Sequence, residues 1–290
     1  MNHIDTQGNT TRRAVAATAL AGALLLVGCG GGSADTSTAA TTATTLAIPT
    51  LTSDWLVVQP YGGFELLYDC SQHTALRYEY VLNADNGVLP RPASFTLDPT
   101  LPAGCGQQSS TGTYASVRPG WDRGHLVSSN HMDYNAAYLL RANYMSNVVP
   151  QVSTFNQGIW LDAENVAECW RDIAPVRVVG GVVYDDPSND GYFLASHGIA
   201  TPDWFWKVVI TTNPTTKATK AIAWRIPNRN NLAPLDSYLV SIDELEQWLG
   251  SAMVGIDNNT VPAGVKAVKP ATTWPQPAGC SLSAAPANPG

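Results

Sequence analysis

The chain has 290 residues, 44% of them hydrophobic and 13% charged, which suits one large domain or two small ones with a real core and excludes a disordered protein. A net charge of −7 gives no general attraction to polyanions or anionic membranes, so any phosphate-binding surface has to be a local cluster of cations.

The N-terminal stretch TTRRAVAATALAGALLLVGC carries Arg12 and Arg13, then an apolar run, then small residues before Cys29. This is the pattern of a signal peptide, and the run is too short for a stable membrane span. Leu26 to Cys29, LVGC, resembles a bacterial lipobox. The expectation is therefore a lipoprotein signal over residues 1–28 and a lipid anchor on Cys29. Gly30 follows, where Asp is absent, and in a Gram-negative cell this suits the outer membrane or cell surface. Residues 29–50 are rich in Thr, Ala and Gly; they cannot bury a core and read as a tether.

Residues 51–268 read as a single domain, without an internal repeat or a second linker. LRYEYVLN (76–83) alternates and reads as a strand. NAAYLLRA (135–142) predicts a short helix, and NYMSNVV (143–149) a strand ending at Pro150. NQGIWLDAENVAECWRDIA (156–174) has apolar residues at helical spacing and predicts the longest helix. VRVVGGVVY, FWKVVITT and KAIAWRI are strands. SIDELEQWLG closes the domain as a helix, with a capping box of Ser241 and Glu244 and a stop at Gly250. Strands and helices do not alternate regularly. The fold class is therefore α+β, with a mainly antiparallel central sheet and flanking helices. Residues 269–290 form an irregular Pro/Ala-rich tail. After Cys29, four cysteines remain, Cys70, Cys105, Cys169 and Cys280. In an exported chain they suggest two disulfides, with three pairings open.

The chemistry concentrates in WDRGHLVSSNHMDYN (121–135) and the segment after it. His125 is a base near neutral pH. Arg123 is a permanent cation that can grip a phosphate with two donors. Gly124 between them is expected to let the backbone turn so that both reach one point. Asn156 opens the longest predicted helix, and Glu164 follows eight residues later. In a continuous helix the two would lie about 80° apart around the axis. An amide oxygen and a carboxylate are hard ligands that suit Mg²⁺, which keeps several waters and needs few protein ligands. A base, an arginine and a hard-metal site together spell phosphodiester hydrolysis. Each part has a plainer reading, as a structural histidine, a helix cap or a solvated glutamate; only their order together favours a site. The stretch lacks G-x-S-x-G, so a serine hydrolase is not supported.

DRGH, followed by NYMSNVVPQVSTFNQGIW, resembles the DNA/RNA non-specific endonuclease family, whose "SN–PQ–N–W–E" series has this spacing. RPASFTLDPTLPAG before the motif and the C-terminal half also resemble it, so the likeness covers roughly residues 55 to 250. The resemblance implies a ββα-metal core, with His125 at the end of a strand and Asn156 at the start of the crossing helix. It implies His125 as general base, Asn156 as the direct ligand of one Mg²⁺ (Mn²⁺ substituting), and Glu164 acting through metal-bound water. Arg91 and Arg123 would contact the scissile phosphate. Asn147 would support the metal-water and phosphate network, Asn143 would hold His125, and Asp122 would fix the turn. DNA and RNA would be the substrates, and a homodimer is compatible with the family.

Two departures stand out. Many relatives read DRGHLAP where this chain has DRGHLVSS. Relatives often carry an arginine four residues after the glutamate, where this chain has Glu168, a change that would weaken nucleic-acid binding or shift substrate choice. Among the other histidines, His131 is expected to be structural, and His73 and His197 have no identifiable partners. Two rival readings remain: a phosphodiesterase for small phosphate diesters on the same scaffold, and a lipoprotein that binds nucleic acid without cutting it.

Overall fold

The computed structural model describes residues 56–280 and 282. The expected signal segment, Cys29 and the whole of the expected tether lie outside the described residues. A seven-stranded sheet dominates, in the order β1 (Leu56–Pro60), β2 (Phe64–Asp69), β3 (Thr74–Leu82), β6 (Val176–Val183), β7 (Trp204–Thr212), β8 (Thr219–Pro227) and β9 (Leu239–Val240). Every neighbouring pair is antiparallel. The fold is α+β as the sequence predicts.

Alternation along β7 sorts the two cores. Phe205 and Val209 belong to the larger core, which holds α2 (Leu161–Arg171). Trp206, Val208 and Ile210 belong to the smaller one, with Ile242 and Leu245 of α4 (Ile242–Leu249), which follows α3 (Gly191–His197) in the chain. Side chains two apart share a face of a strand, so Lys207, fully buried, points with Phe205 towards α2. The capping box on α4 is complete: Ser241 Oγ accepts from Glu244 N at 3.0 Å and Glu244 accepts from Ser241 N at 2.7 Å.

A separate two-stranded ribbon, β4 (Trp121–His125) with β5 (Val148–Val152), sits against the larger core. Here the structure corrects two sequence expectations. The stretch 143–149 is not a strand: Met145–Asn147 make a 3₁₀ turn after α1 (Ala136–Ala142), and β5 begins at Val148 and runs through Pro150. A proline is tolerated because the ribbon is all edge, so a missing donor interrupts no inner ladder. The helix expected over 156–174 starts at Leu161. It is preceded by a wide π-type turn, Phe155–Trp160, in which Gly158 leaves helical geometry at φ −113° and ψ −107°. The angular relation between Asn156 and Glu164 expected from one continuous helix therefore does not apply.

The disulfides are Cys70–Cys105 and Cys169–Cys280. The second ties the end of α2 to the tail, whose Trp274 packs on Trp170 with ring centroids 5.3 Å apart. Among the described residues, no helix is long and apolar enough to cross a membrane.

Candidate active site

Strand β4 is the DRGH motif itself. In an extended strand Arg123 and His125 share one face and Asp122 and Gly124 the other. Gly124 is needed for a reason other than the turn expected from sequence. A Cβ at that position would lie 2.0 Å from Gln151 Cδ, and Gln151, fully buried, also donates to His125 O at 3.3 Å. The glycine admits the β5 side chain that holds the end of β4.

His125 is buried. Its Nε2 lies 2.9 Å from Asn143 Oδ1 and 3.0 Å from Ser129 Oγ, and Ser129 Oγ donates to Asn143 Oδ1 at 2.9 Å. An amide oxygen only accepts, so the imidazole proton sits on Nε2 and the lone pair on Nδ1. Burial pulls the His125 pKa down to about 4; the Asn143 bond opposes this, and Arg91 and Arg123 add to it. At neutral pH the ring is an uncharged base.

Phe95 lies between the two functional groups of β4. Its ring centroid is 5.2 Å from that of His125 and 4.3 Å from Arg123 Cζ. Arg123 Nη1 donates to Thr111 O at 2.9 Å. The loop that carries Arg91 and Phe95 is pinned beside Asn143 by Thr96 N to Asn143 O at 3.2 Å and Met145 N to Thr96 O at 2.9 Å. Arg91 is half-buried and acts electrostatically on both sides of the site: it lowers the pKa of His125 and supports the charge of Glu164.

Asp122, on the opposite face of β4, reaches the π-type turn. It accepts from Ser153 Oγ at 2.6 Å, Asn156 Nδ2 at 2.9 Å and Gln157 Nε2 at 2.8 Å. Fixing Nδ2 on Asp122 leaves Asn156 Oδ1 as the amide atom free to serve as a hard ligand. Glu164, with a side chain 13% exposed, lies 3.8 Å from Lys207 Nζ, and the Ser128 hydroxyl favours its charged form. Burial raises the Glu164 pKa, and Lys207, Arg91 and Ser128 hold it back. Among the described residues no group of three or more His, Cys, Asp or Glu could hold a metal ion. The donors present, one amide oxygen and one carboxylate, fit an ion that keeps most of its waters and do not fit a zinc site.

Asn147 is placed differently from its expected neighbours. Its Oδ1 accepts from Val127 N at 3.0 Å, and its Nδ2 donates to Val127 O at 2.9 Å and Ala142 O at 2.8 Å. These bonds clamp the chain just after His125 to the end of α1. The altered stretch VSS supplies Ser128 to Glu164 and Ser129 to the His125–Asn143 pair; sequence reasoning singled out neither serine. Lys207 was also missed, although the apolar alternation around it placed a cation on a buried face.

Glu168 does not present a negative charge to solvent. It is 6% exposed and paired with Arg171 at 3.2 Å. Its pKa is pushed up to about 7 by burial, with Arg171 opposing. His131 Nε2 lies 3.4 Å from Glu168, and burial keeps that imidazole uncharged, so the contact is not an ion pair. His131 Nδ1 meets Tyr80 Oη at 2.8 Å. His73 and His197 meet backbone carbonyls of Gly198 at 2.7 Å and Gly112 at 3.0 Å.

The sequence pattern of the DNA/RNA non-specific endonucleases matches residues 42–260. A nuclease of Nostoc sp. is 30% identical over 219 residues, covering 70% of this chain and 75% of that protein. The mouse mitochondrial nuclease EXOG is 26% identical over 46% of this chain, and human mitochondrial endonuclease G is 28% identical over 47%. The matched region spans only 40% and 48% of those two mitochondrial proteins. A chain in the crystal structure of an EndoG/EndoGI complex superposes with a TM-score of 0.56 at 21% identity, covering 70% of this chain and 88% of that one; this likeness concerns the fold.

Proposed function

Because the chain belongs to the DNA/RNA non-specific endonuclease family, we propose that it is a Mg²⁺-dependent endonuclease that hydrolyses phosphodiester bonds of DNA and RNA with little sequence preference. The observation that carries the reading is that one five-residue strand serves both halves of the site. β4 ends in His125, with its lone pair on Nδ1, and its Asp122 grips the amide of Asn156.

In this reading His125 Nδ1 takes a proton from the attacking water, while Asn143 and Ser129 hold the ring and stabilise the imidazolium through Nε2. Arg123 and Arg91 neutralise charge on the phosphoryl oxygens. Asn156 Oδ1 would hold the metal ion directly and Glu164 would orient its waters. When bound, that ion supplies stabilisation of the leaving oxygen. The groups named all address phosphate, water or metal and none a base edge, which is the physical basis of low sequence preference.

The proposal extends to location. The lipobox-like LVGC would anchor the chain through Cys29 in the outer membrane or at the cell surface, and two disulfides suit an oxidising compartment. Cys29→Ser should move the chain from the membrane fraction to the soluble one.

The activity is tested with supercoiled plasmid and total RNA in Mg²⁺, beside an EDTA control and a bis-nitrophenyl phosphate assay. Cleavage of both polymers that EDTA abolishes supports the reading. Cleavage of the small diester alone favours a phosphodiesterase. Retardation of both polymers on a gel without cleavage would replace an enzyme with a binding protein.

A further inference from the structure

Lys207 is a cation in an unusual place. It lies in the middle of β7, the fifth strand of the seven-stranded sheet, and its side chain is fully buried. Nζ has no hydrogen-bond partner. Two groups lie against it, the Glu164 carboxylate at 3.8 Å and the face of the Trp160 ring, whose centroid is 3.8 Å away, and the buried His131 imidazole feels its charge. Glu164 lies on α2, and Trp160 is the last residue of the π-type turn that carries Asn156. Trp160 is wedged in turn against Phe155 and Phe205, with centroids 5.6 Å and 5.2 Å away.

A buried ammonium is costly unless an anion and a polarisable face surround it. A sheet residue that served packing alone would be apolar, like Phe205 and Val209 on the same face. We propose that Lys207 is a positioning residue for the metal site, holding the Glu164 carboxylate on one side and the Trp160 end of the Asn156 turn on the other. The inference rests on the metal-site reading above and adds to it the group that sets the two arms relative to one rigid strand. The break at Gly158 makes such a brace necessary: the turn and α2 are not one continuous helix, so helical geometry alone does not fix Asn156 against Glu164.

Metal binding to the full chain, without nucleic acid, provides the test, with Mn²⁺ as the probe and free Mn²⁺ read by electron paramagnetic resonance. Circular dichroism monitors folding. Lys207→Met keeps length and removes charge, and should weaken Mn²⁺ binding at least about tenfold. Lys207→Arg keeps the charge and should recover most of that loss. Adding Lys207→Met to Glu164→Gln should weaken binding less than it does in the wild type, because part of its effect passes through Glu164. That double variant also removes both buried charges together, so it remains informative if Lys207→Met alone fails to fold. A folded Lys207→Met that binds Mn²⁺ as the wild type does would overturn the inference, as would full additivity with Glu164→Gln. If instead Asn156→Ala and Glu164→Gln leave Mn²⁺ binding unchanged, the metal-site reading fails first and takes this inference with it.

Discussion

Asn143 Oδ1 lies 2.9 Å from His125 Nε2, and this contact sets which nitrogen of the imidazole keeps its lone pair. The acceptor faces the protein side of the ring, so the proton is held there and the Nδ1 lone pair is left for the substrate side. Asn143→Leu should leave the ring in place but free to choose either tautomer. It should lower kcat by about 10²-fold, within the range for a mis-set general base, with a much smaller change in KM. Steady-state kinetics on a defined oligonucleotide would show this split; equal loss in both parameters would point to a distorted site.

The same burial sets a pH dependence. His125 is held at about 4 in the folded chain, against about 6.5 for a free imidazole. The base form therefore persists as pH falls below 6.5 and is lost only near 4. The acid limb of kcat/KM for the free enzyme should lie near that value, and activity should change little on this account between pH 6 and 8. The folded state also binds fewer protons than the unfolded one between those two pKa values, so stability should rise with pH across that window. His131, likewise held well below its ordinary value by burial, adds to the effect. Glu168, raised to about 7 by burial, contributes with the opposite sign, so the histidine's share is read as a difference: the urea midpoint of the wild type relative to that of His125→Ala should increase from pH 4 to 7.

Gly124→Ala should cost about 1–3 kcal/mol in stability, as overpacking in a buried ribbon does, because its Cβ meets Gln151 at 2.0 Å. Chemical denaturation would measure it. Pairing it with Gln151→Ala removes the obstructing side chain and should recover part of the loss. A larger loss in the double variant than in Gly124→Ala alone would contradict the packing explanation.

Asn147 separates structure from chemistry. Its three side-chain hydrogen bonds go to backbone groups of Val127 and Ala142. Asn147→Ala should lower the Tm, leaving buried peptide groups unpaired at about 1–3 kcal/mol each, while the Mn²⁺ affinity of the folded fraction stays close to wild type. A weakened metal affinity at unchanged Tm would restore Asn147 to the metal-water network.

Glu168→Arg tests the other departure from the family pattern. On an exposed helix face the added cation would tighten nucleic-acid binding. In its buried position beside Arg171 it sets two cations together. A loss of several kcal/mol is expected, on the order of a broken buried pair, with no gain in binding in a gel-shift titration.

The parts of this protein that could be read from the sequence are those in which neighbouring residues agree. Ser241 and Glu244 form their capping box because both bonds are local. The alternation in FWKVVITT gives β7, and with it the burial of Lys207, although the partner of that lysine lies on another element. WDRGH shows no apolar alternation, so β4 was implied only by family likeness; its register depends on Gln151 fitting over Gly124. The break at Gly158 was illegible because the apolar spacing of FNQGIWLDAENVAECW continues straight through it. In the sequence Asp122 reads as a turn residue, whereas its oxygens are used across the ribbon by Ser153, Asn156 and Gln157. Long-range side-chain pairing of this kind leaves no mark in spacing.

The most direct test of the central claim is single-turnover cleavage of a plasmid at saturating Mg²⁺ by the wild-type chain and by His125→Ala. The account predicts a rate reduced by about 10²–10⁴-fold, the contribution of a positioned general base, with plasmid affinity in Ca²⁺ little changed. A folded His125→Ala that cuts within threefold of the wild-type rate would contradict it.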